Sequence, residues 1–290
     1  LGVPHPARGV IEVKGAGEEL DAFIESSQVK DYLAHYGQVL VTNYRDFRLL
    51  KRGPGGATLR LESFRLADSE AAFWTAAAHP RRTADALGER FAEYLKRVLL
   101  HAAPLNNPKD VAFFLASYAR DARARVEAAG DLPALTAVRT ALEEALGMKF
   151  VADKGEHFFR STLVQTLFYG VFSAWVVWHK NNVGQASSLS SIVPAPAPAV
   201  SSPAKNKDGE SGKMPDLLFD WRAAAWTLHV PMIKALFEQV ATPTKLGPLG
   251  LVEVLDWTAA ALNRVDRAAF FEKFVETHAV QYFYEPFLEA

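Results

Sequence analysis

The chain contains no cysteine. That absence excludes disulfide bridges, thiolate metal sites and cysteine nucleophiles together, and with no secretory signal at the N-terminus it points to the cytoplasm. Charge of one sign is also missing: 32 basic residues stand against 33 acidic ones, for a formal net charge of −1. No global positive field announces a nucleic-acid partner, so any such contact has to be local. Eight histidines are scattered with no i, i+3 or i, i+4 pair between them, which removes the usual spacing for zinc. Ser161 and Ser173 lie in apolar helical text, not at a strand-to-helix elbow, so a serine triad has no scaffold. No Asn-Pro-Pro-Tyr or Asp-Pro-Pro-Tyr tetrapeptide occurs, and Gly247-Pro248-Leu249-Gly250 has no strand before it, so S-adenosylmethionine binding lacks a motif here.

Long apolar runs are scarce too. The one candidate for a membrane span is Leu167 to Trp178, inside the apolar stretch His157 to Trp178, and Arg160, Gln165 and His179 bracket it more tightly than the roughly 20 apolar residues a span requires. A central helix buried on all sides is the expected reading, with Phe158, Phe159, Phe168, Tyr169, Phe172, Trp175 and Trp178 as core. No membrane partner is expected.

What is present is enough apolar material for a sizeable core, 49% of 290 residues, divided into two kinds of text. Up to residue 66 the pattern is α/β. Val10 to Lys14 forms a short strand, Gly15 and Gly17 turn the chain, and Glu18 to Tyr36 has helical spacing ended by Gly37. Gln38 to Asn43, Asp46 to Arg52 and Thr58 to Leu66 are further strands, the last two joined by the Gly53-Pro54-Gly55-Gly56 hairpin. That run is no phosphate loop, because no helix with the required Lys and Ser or Thr follows it.

From Asp68 onward the punctuation is helical, with helices expected near 69 to 78, 83 to 102, 108 to 128 and 133 to 147. Residues 183 to 213, rich in Ser, Ala and Pro, form a linker expected to be disordered. Helices resume over Leu217 to Leu228, Met232 to Val240, Leu251 to Asn263 and from Arg267 to the end. The later block is expected to pack on the earlier one. The fold class is therefore α+β and mostly α: a small sheet domain over 1–66 and a large helical bundle over 67–290, interrupted by the linker.

The chemistry worth weighing sits on the first strand. Positions i and i+2 of a strand share a face, so Glu12 and Lys14 point one way while Ile11 and Val13 are expected to point into an apolar layer. A carboxylate and an ammonium so placed form the Glu-x-Lys half of a metal-dependent nuclease site, where an anionic oxygen holds a divalent cation and a nearby cation helps to position water. The bland alternative is an edge strand whose polar face happens to carry Glu and then Lys. Basic residues cluster at Arg45, Arg48, Lys51 and Arg52, at Arg81 and Arg82, and at Arg120, Arg123 and Arg125. Each set is ordinarily a solvated face, and the first, next to the sheet, could meet a phosphate backbone.

Three segments, Gly9-Val10-Ile11-Glu12-Val13-Lys14-Gly15, then Ser27-Gln28-Val29-Lys30-Asp31-Tyr32-Leu33, then Gln38 to Phe47, resemble the N-terminal region of fused type IIG and type ISP restriction-modification enzymes. In that group one polypeptide carries a nuclease of the PD-(D/E)xK type, a helical connector and an N6-adenine DNA methyltransferase. The resemblance continues through His157 to Leu167 and Gln281 to Glu289, and covers nearly everything except the linker. It implies a restriction-endonuclease-like sheet, with Glu12 as a Mg²⁺ ligand and Lys14 positioning or activating water. Gln28 would orient the site or touch the DNA backbone. It further implies double-stranded DNA as partner, along with methyltransferase and target-recognition domains in the same polypeptide, and S-adenosylmethionine only for that methyltransferase, expected just after Ala290. The departure is a second carboxylate: the family takes an Asp from the preceding strand, and residues 1 to 11 hold no acidic side chain. Because the chain starts at Leu1 and not at Met, truncation is the expected cause, degeneracy the other. Either way the chain alone is expected not to cleave DNA. The rival reading is a non-catalytic helical module that couples a nuclease to a methyltransferase or another partner.

Overall fold

The computed structural model describes residues 9–101, 103–130, 132–190, 218–229 and 231–274. The described chain is α+β and mostly helical, with a small four-stranded mixed sheet at its N-terminal end followed by helices. It divides into two compact units, the first running to Asp121 and including residues from Glu272, the second spanning Ala122 to Phe271. The division falls inside a helix, not at residue 66, because helices after the sheet pack on it.

In the first unit the strands are β1 (Val10–Val13), β2 (Gln38–Thr42), β3 (Asp46–Arg52) and β4 (Thr58–Arg65), in spatial order β1-β2-β3-β4. β1 runs parallel to β2, which requires a crossover, and the residues between them supply it as two helices, α1 (Leu20–Ile24) and α2 (Ser27–Tyr36). The single helix expected from Glu18 to Tyr36 is broken at Ser26. Its hydroxyl accepts from the Val29 N–H at 3.3 Å and caps α2, an alternative that serine offers the backbone more readily than helix continuation. Gly37, at φ +73°, ends α2 in the left-handed region.

One sheet face, through Val39, Val41 and Leu50, packs on Leu20 and Ile24 of α1 and Val29 and Leu33 of α2. The opposite face, through Leu40, Phe47, Leu49 and Phe64, packs on Tyr94 and Val98 of α4 (Pro80–Leu100), which follows α3 (Glu70–Ala78). α4 starts three residues earlier than expected because Pro80 fits the first helical turn, where its missing N–H costs nothing. The first part of α5 (Pro108–Ala128) is tied to α4 by Arg90–Asp121 at 2.8 Å and Arg120–Glu93.

The faces of β1 are the reverse of what was expected. Ile11 and Val13 are 67% and 44% exposed, while Glu12 and Lys14 are half-buried. Register explains this: Ile11 pairs with Leu40 and Val13 with Thr42, on the face that α4 covers farther along the sheet, whereas Glu12 lies beside Val41 on the face under α1 and α2.

In the second unit α6 (Pro133–Leu146) precedes α7 (Ala152–Ser190), in which no residue from Phe159 to His179 is exposed. α7 contains one helix segment, Lys154–Asn181, long and apolar enough by length and composition to cross a membrane, and half of its most apolar window is buried inside the protein. α7 also continues through Ser190, so the expected linker does not begin at 183; residues 191–217 of that linker lie outside the described residues. Of the helix expected over Leu217 to Leu228, the described part is a 3₁₀ turn, Trp221–Ala223, and the short α8 (Ala224–Thr227), started by the Asp220 side chain on Arg222 N–H at 3.0 Å. α9 (Pro231–Val240), α10 (Pro243–Leu246), α11 (Leu251–Asn263) and α12 (Arg267–Lys273, the last two residues of which fall in the first unit) are the described helices that follow, and residues 275–290 lie outside the described residues. α8 and α9 pack on α7, and Trp175 of α7 meets Phe270 edge-on at 5.3 Å, so the later block does pack on the earlier one.

Candidate active site

The three residues singled out on β1 and α2 come together. Lys14 Nζ lies 3.0 Å from Glu12 Oε1, and Gln28 Nε2 donates to the same oxygen at 3.1 Å. Glu12 is fixed by its place in β1. Lys14 stays in register because its N–H donates to Thr42 O at 2.8 Å, one residue beyond the regular strand. Gln28 sits in the first turn of α2, delivered by the Ser26 cap.

Two more side chains complete the cluster. Gln28 Nε2 also donates to Tyr32 Oη at 3.1 Å, and the Lys14 ammonium stands 4.0 Å over the Phe23 ring. Neither was legible as a site residue. The signal for Tyr32 was its position four residues after Gln28, one helical turn on the same face. Phe23 had no signal, because its approach depends on how Gly15–Glu19 turns the chain back. A half-exposed ion pair contributes only about 0 to 1 kcal/mol, so stability alone does not account for grouping a carboxylate, an ammonium and an amide at an edge strand.

The register extends this polar face across the sheet. Glu12, Val41, Arg48 and Ser63 form one cross-strand row, and Asp46 and Arg65 pair in the row adjoining Lys14. Asn43, fully buried, fixes the β2–β3 turn: its Nδ2 donates to Glu18 O at 2.7 Å, and its Oδ1 accepts from the N–H groups of Arg45 at 3.2 Å and Asp46 at 2.8 Å. One amide thus ties the loop after Lys14 to the turn before β3.

Of the four basic residues expected to face a phosphate backbone, only Lys51 and Arg52 are exposed. Arg45 and Arg48 are buried in the sheet. Arg45 pairs with Glu19 and lies 3.9 Å from Asp46 Oδ2; Arg48 Nη1 lies 3.4 Å from Asp46 Oδ1. Arg45 follows the turn fixed by Asn43, and Arg48 pairs with Val41 on the sheet face that α1 and α2 cover, tertiary effects that charge patterning does not reveal. Arg123 and Arg125 are also engaged, the first with Glu127 at 3.1 Å and the second with Glu253 at 2.9 Å.

A hard divalent cation such as Mg²⁺ takes about six oxygen ligands in near-octahedral geometry. The described residues offer one carboxylate, Glu12, whose Oε1 already meets Lys14 and Gln28, and among them no group of three or more His, Cys, Asp or Glu could hold a metal ion. These residues do not build a Mg²⁺ site by themselves. What the arrangement can do is hold an ammonium beside a fixed carboxylate at an open sheet edge, ready to meet an anionic oxygen. No family model, curated protein or solved structure matches the chain.

Proposed function

We propose that this chain carries part of a phosphodiester-hydrolysing site acting on double-stranded DNA, within a cytoplasmic restriction-modification enzyme whose polypeptide also holds an adenine methyltransferase. The observation that supports it most directly is the convergence of Lys14 Nζ and Gln28 Nε2 on Glu12 Oε1, at 3.0 and 3.1 Å, from a strand and from the helix that follows it. Glu12 orients the two donors and Lys14 supplies the charge that attracts a phosphate. Gln28, steadied by Tyr32, keeps the carboxylate from turning away.

The second reading, a non-catalytic helical module that couples a nuclease to a partner, draws on the lack, among the described residues, of a group of three or more His, Cys, Asp or Glu that could hold a metal ion. The experiment that separates them is DNA cutting by the intact protein with and without Mg²⁺. Under the nuclease reading the intact protein nicks or cuts duplex DNA, Lys14→Ala abolishes it, and the 290-residue chain alone does not cut. Unchanged cutting by Lys14→Ala removes the site assignment, and an intact protein that never cuts leaves the coupling module.

A further inference from the structure

Helix α3 buries none of its residues, yet apart from Glu70 and Thr75 it holds only Ala, Phe and Trp, and Trp74 is 58% exposed. A surface helix ordinarily turns a polar face to water, and one that is apolar all round ordinarily lies beneath something else. Between α3 and α4 runs a groove of about 260 Å³, walled by Leu66, by Phe73 of α3 and by Leu87 and Phe91 of α4. Thr83, the one polar side chain in its lining, donates to Ala76 O at 2.8 Å. Small-molecule sites commonly hold about 300 to 1,000 Å³ and carry a few polar groups that orient the ligand. This groove is smaller and has no such group to spare, so it suits the apolar side chains of a peptide segment.

The chain itself offers such a segment. Glu272 and Lys273 belong to the first unit, and Lys273 Nζ donates to Asn106 O at 3.5 Å. α5 runs back along α4, with Ser117 against Arg97 and Asp121 against Arg90, so Asn106 lies at the end of α4 farthest from Pro80. After Lys273 the sequence has no Lys or Arg, and it gathers Tyr282, Phe283, Tyr284, Phe287 and Leu288 around Glu285 and Glu289. The first turn of α4, at the other end of the groove, carries exposed Arg81 and Arg82 and no acidic residue. Two cations there add to the positive end of the helix dipole, which favours an acidic neighbour.

We infer that the groove between α3 and α4 is the docking site of this chain's own aromatic segment, Tyr282 to Glu289. The lengths agree. From Leu100 back to Phe91, α4 covers about 14 Å at 1.5 Å per residue, and the residues from Phe274 to Gln281 extend up to about 26 Å. Tyr282 therefore reaches the Phe91 end of the groove. A further 14 Å or so of helix leads from Phe91 to Arg82, within the reach of the residues from Tyr282 to Glu289. That direction brings the apolar side chains along the groove and the two glutamates towards Arg81 and Arg82. The inference does not depend on what Glu12 and Lys14 do.

Because the chain has no cysteine, introduced pairs report on contact without background. In the 290-residue chain, Ala77→Cys in the groove is combined with Phe287→Cys, and the disulfide formed on air oxidation is followed by non-reducing electrophoresis at low protein concentration. Ala34→Cys with Phe287→Cys is the control, since Ala34 is exposed on α2, across the sheet from α4. The groove pair is expected to close within one chain at least ten times faster than the control. Arg81→Glu with Arg82→Glu is expected to slow the groove pair several-fold, and Glu285→Arg with Glu289→Arg in the same chain to restore it. Equal rates for the two pairs would mean a segment that samples the whole surface, and a link only between chains would mean that a second copy fills the groove. Either result, or a groove pair indifferent to both charge reversals, overturns the inference.

Discussion

Arg97 of α4 and Glu62 of β4 form an ion pair inside the first unit: Arg97 Nε donates to Glu62 Oε2 at 2.8 Å with both side chains all but fully buried. Tyr118 Oη donates to Glu62 Oε1 at 2.7 Å, and Arg97 also donates to the Ser117 hydroxyl. Burial alone would lower the Arg97 pKa, but the neighbouring Glu62 and Tyr118 outweigh it and hold the guanidinium charged. Glu62→Ala strands that charge and is expected to cost about 3 to 5 kcal/mol, a large part of the roughly 5 to 15 kcal/mol that folds a domain. Replacing both partners, Glu62→Leu with Arg97→Met, is expected to cost less than the single variant, because the buried Tyr118 and Ser117 hydroxyls each lose a hydrogen bond but no charge is stranded. Urea unfolding midpoints check both. A mild single variant would show that water reaches the pair.

Helix α7 meets α9 at a glycine. A β-carbon on Gly170 would come within 2.3 Å of Phe237 Cδ2, closer than any such contact allows. Alanine ordinarily gains about 1 kcal/mol over glycine in a helix interior, whereas overpacking a core costs about 1 to 3 kcal/mol. The clash wins here, so Gly170→Ala is expected to destabilise the second unit. Phe237→Leu in the same chain should recover part of the loss, measured as melting temperature. Additive effects of the two substitutions would show that they do not share a contact.

His179 stacks on Phe271 at 4.4 Å with the rings 8° from parallel, and burial first, then the Arg267 charge, push its pKa below the ordinary histidine value. The unfolded chain therefore binds the proton more readily, and the stability from neutral His179 is complete above about pH 6.5 and lost as pH falls towards its lower folded pKa. His179→Phe keeps a ring in the stack and is expected to flatten that part of the stability-against-pH curve. Urea titrations of both proteins below about pH 6.5 measure the difference, and identical slopes would remove the assignment.

Much of the architecture was legible because glycine, proline and apolar spacing mark it. Leu251–Asn263 and 108–128 are helices at the expected bounds, and Asp46–Arg52 is the expected strand. What could not be read depends on partners distant in sequence. Alternation divides Ile11 and Val13 from Glu12 and Lys14 but does not say which face a helix will cover, and α1 and α2 cover the second pair. Arg45 looks exposed until Asn43 fixes the turn before β3, Arg48 until α1 and α2 cover its face of the sheet, and Arg65, never singled out, pairs with Asp46 while staying half exposed. The polar text from Asn181 to Ser190 lacks apolar spacing and is helical only as the continuation of α7.

The open edge of β1 makes the last prediction. Among the described residues no strand pairs with its outer side, since the sheet order begins at β1. In a parallel pair, N–H groups alternate between the two edges of a strand. Lys14 N–H bonds to Thr42 O, so the Glu12 amide points to β2 as well, and the Ile11 and Val13 amides point outward. Native-state hydrogen exchange is therefore expected to protect Glu12 and Lys14 while Ile11 and Val13 exchange quickly, although the four are consecutive in the chain. Ile11→Lys and Val13→Thr are expected to change stability by less than about 0.5 kcal/mol and to lower self-association, because exposed apolar edges template pairing between chains. Slow exchange at Ile11 and Val13 would mean that another segment already pairs with this edge, and the polar cluster at Glu12 would then have to be rebuilt with that segment beside it.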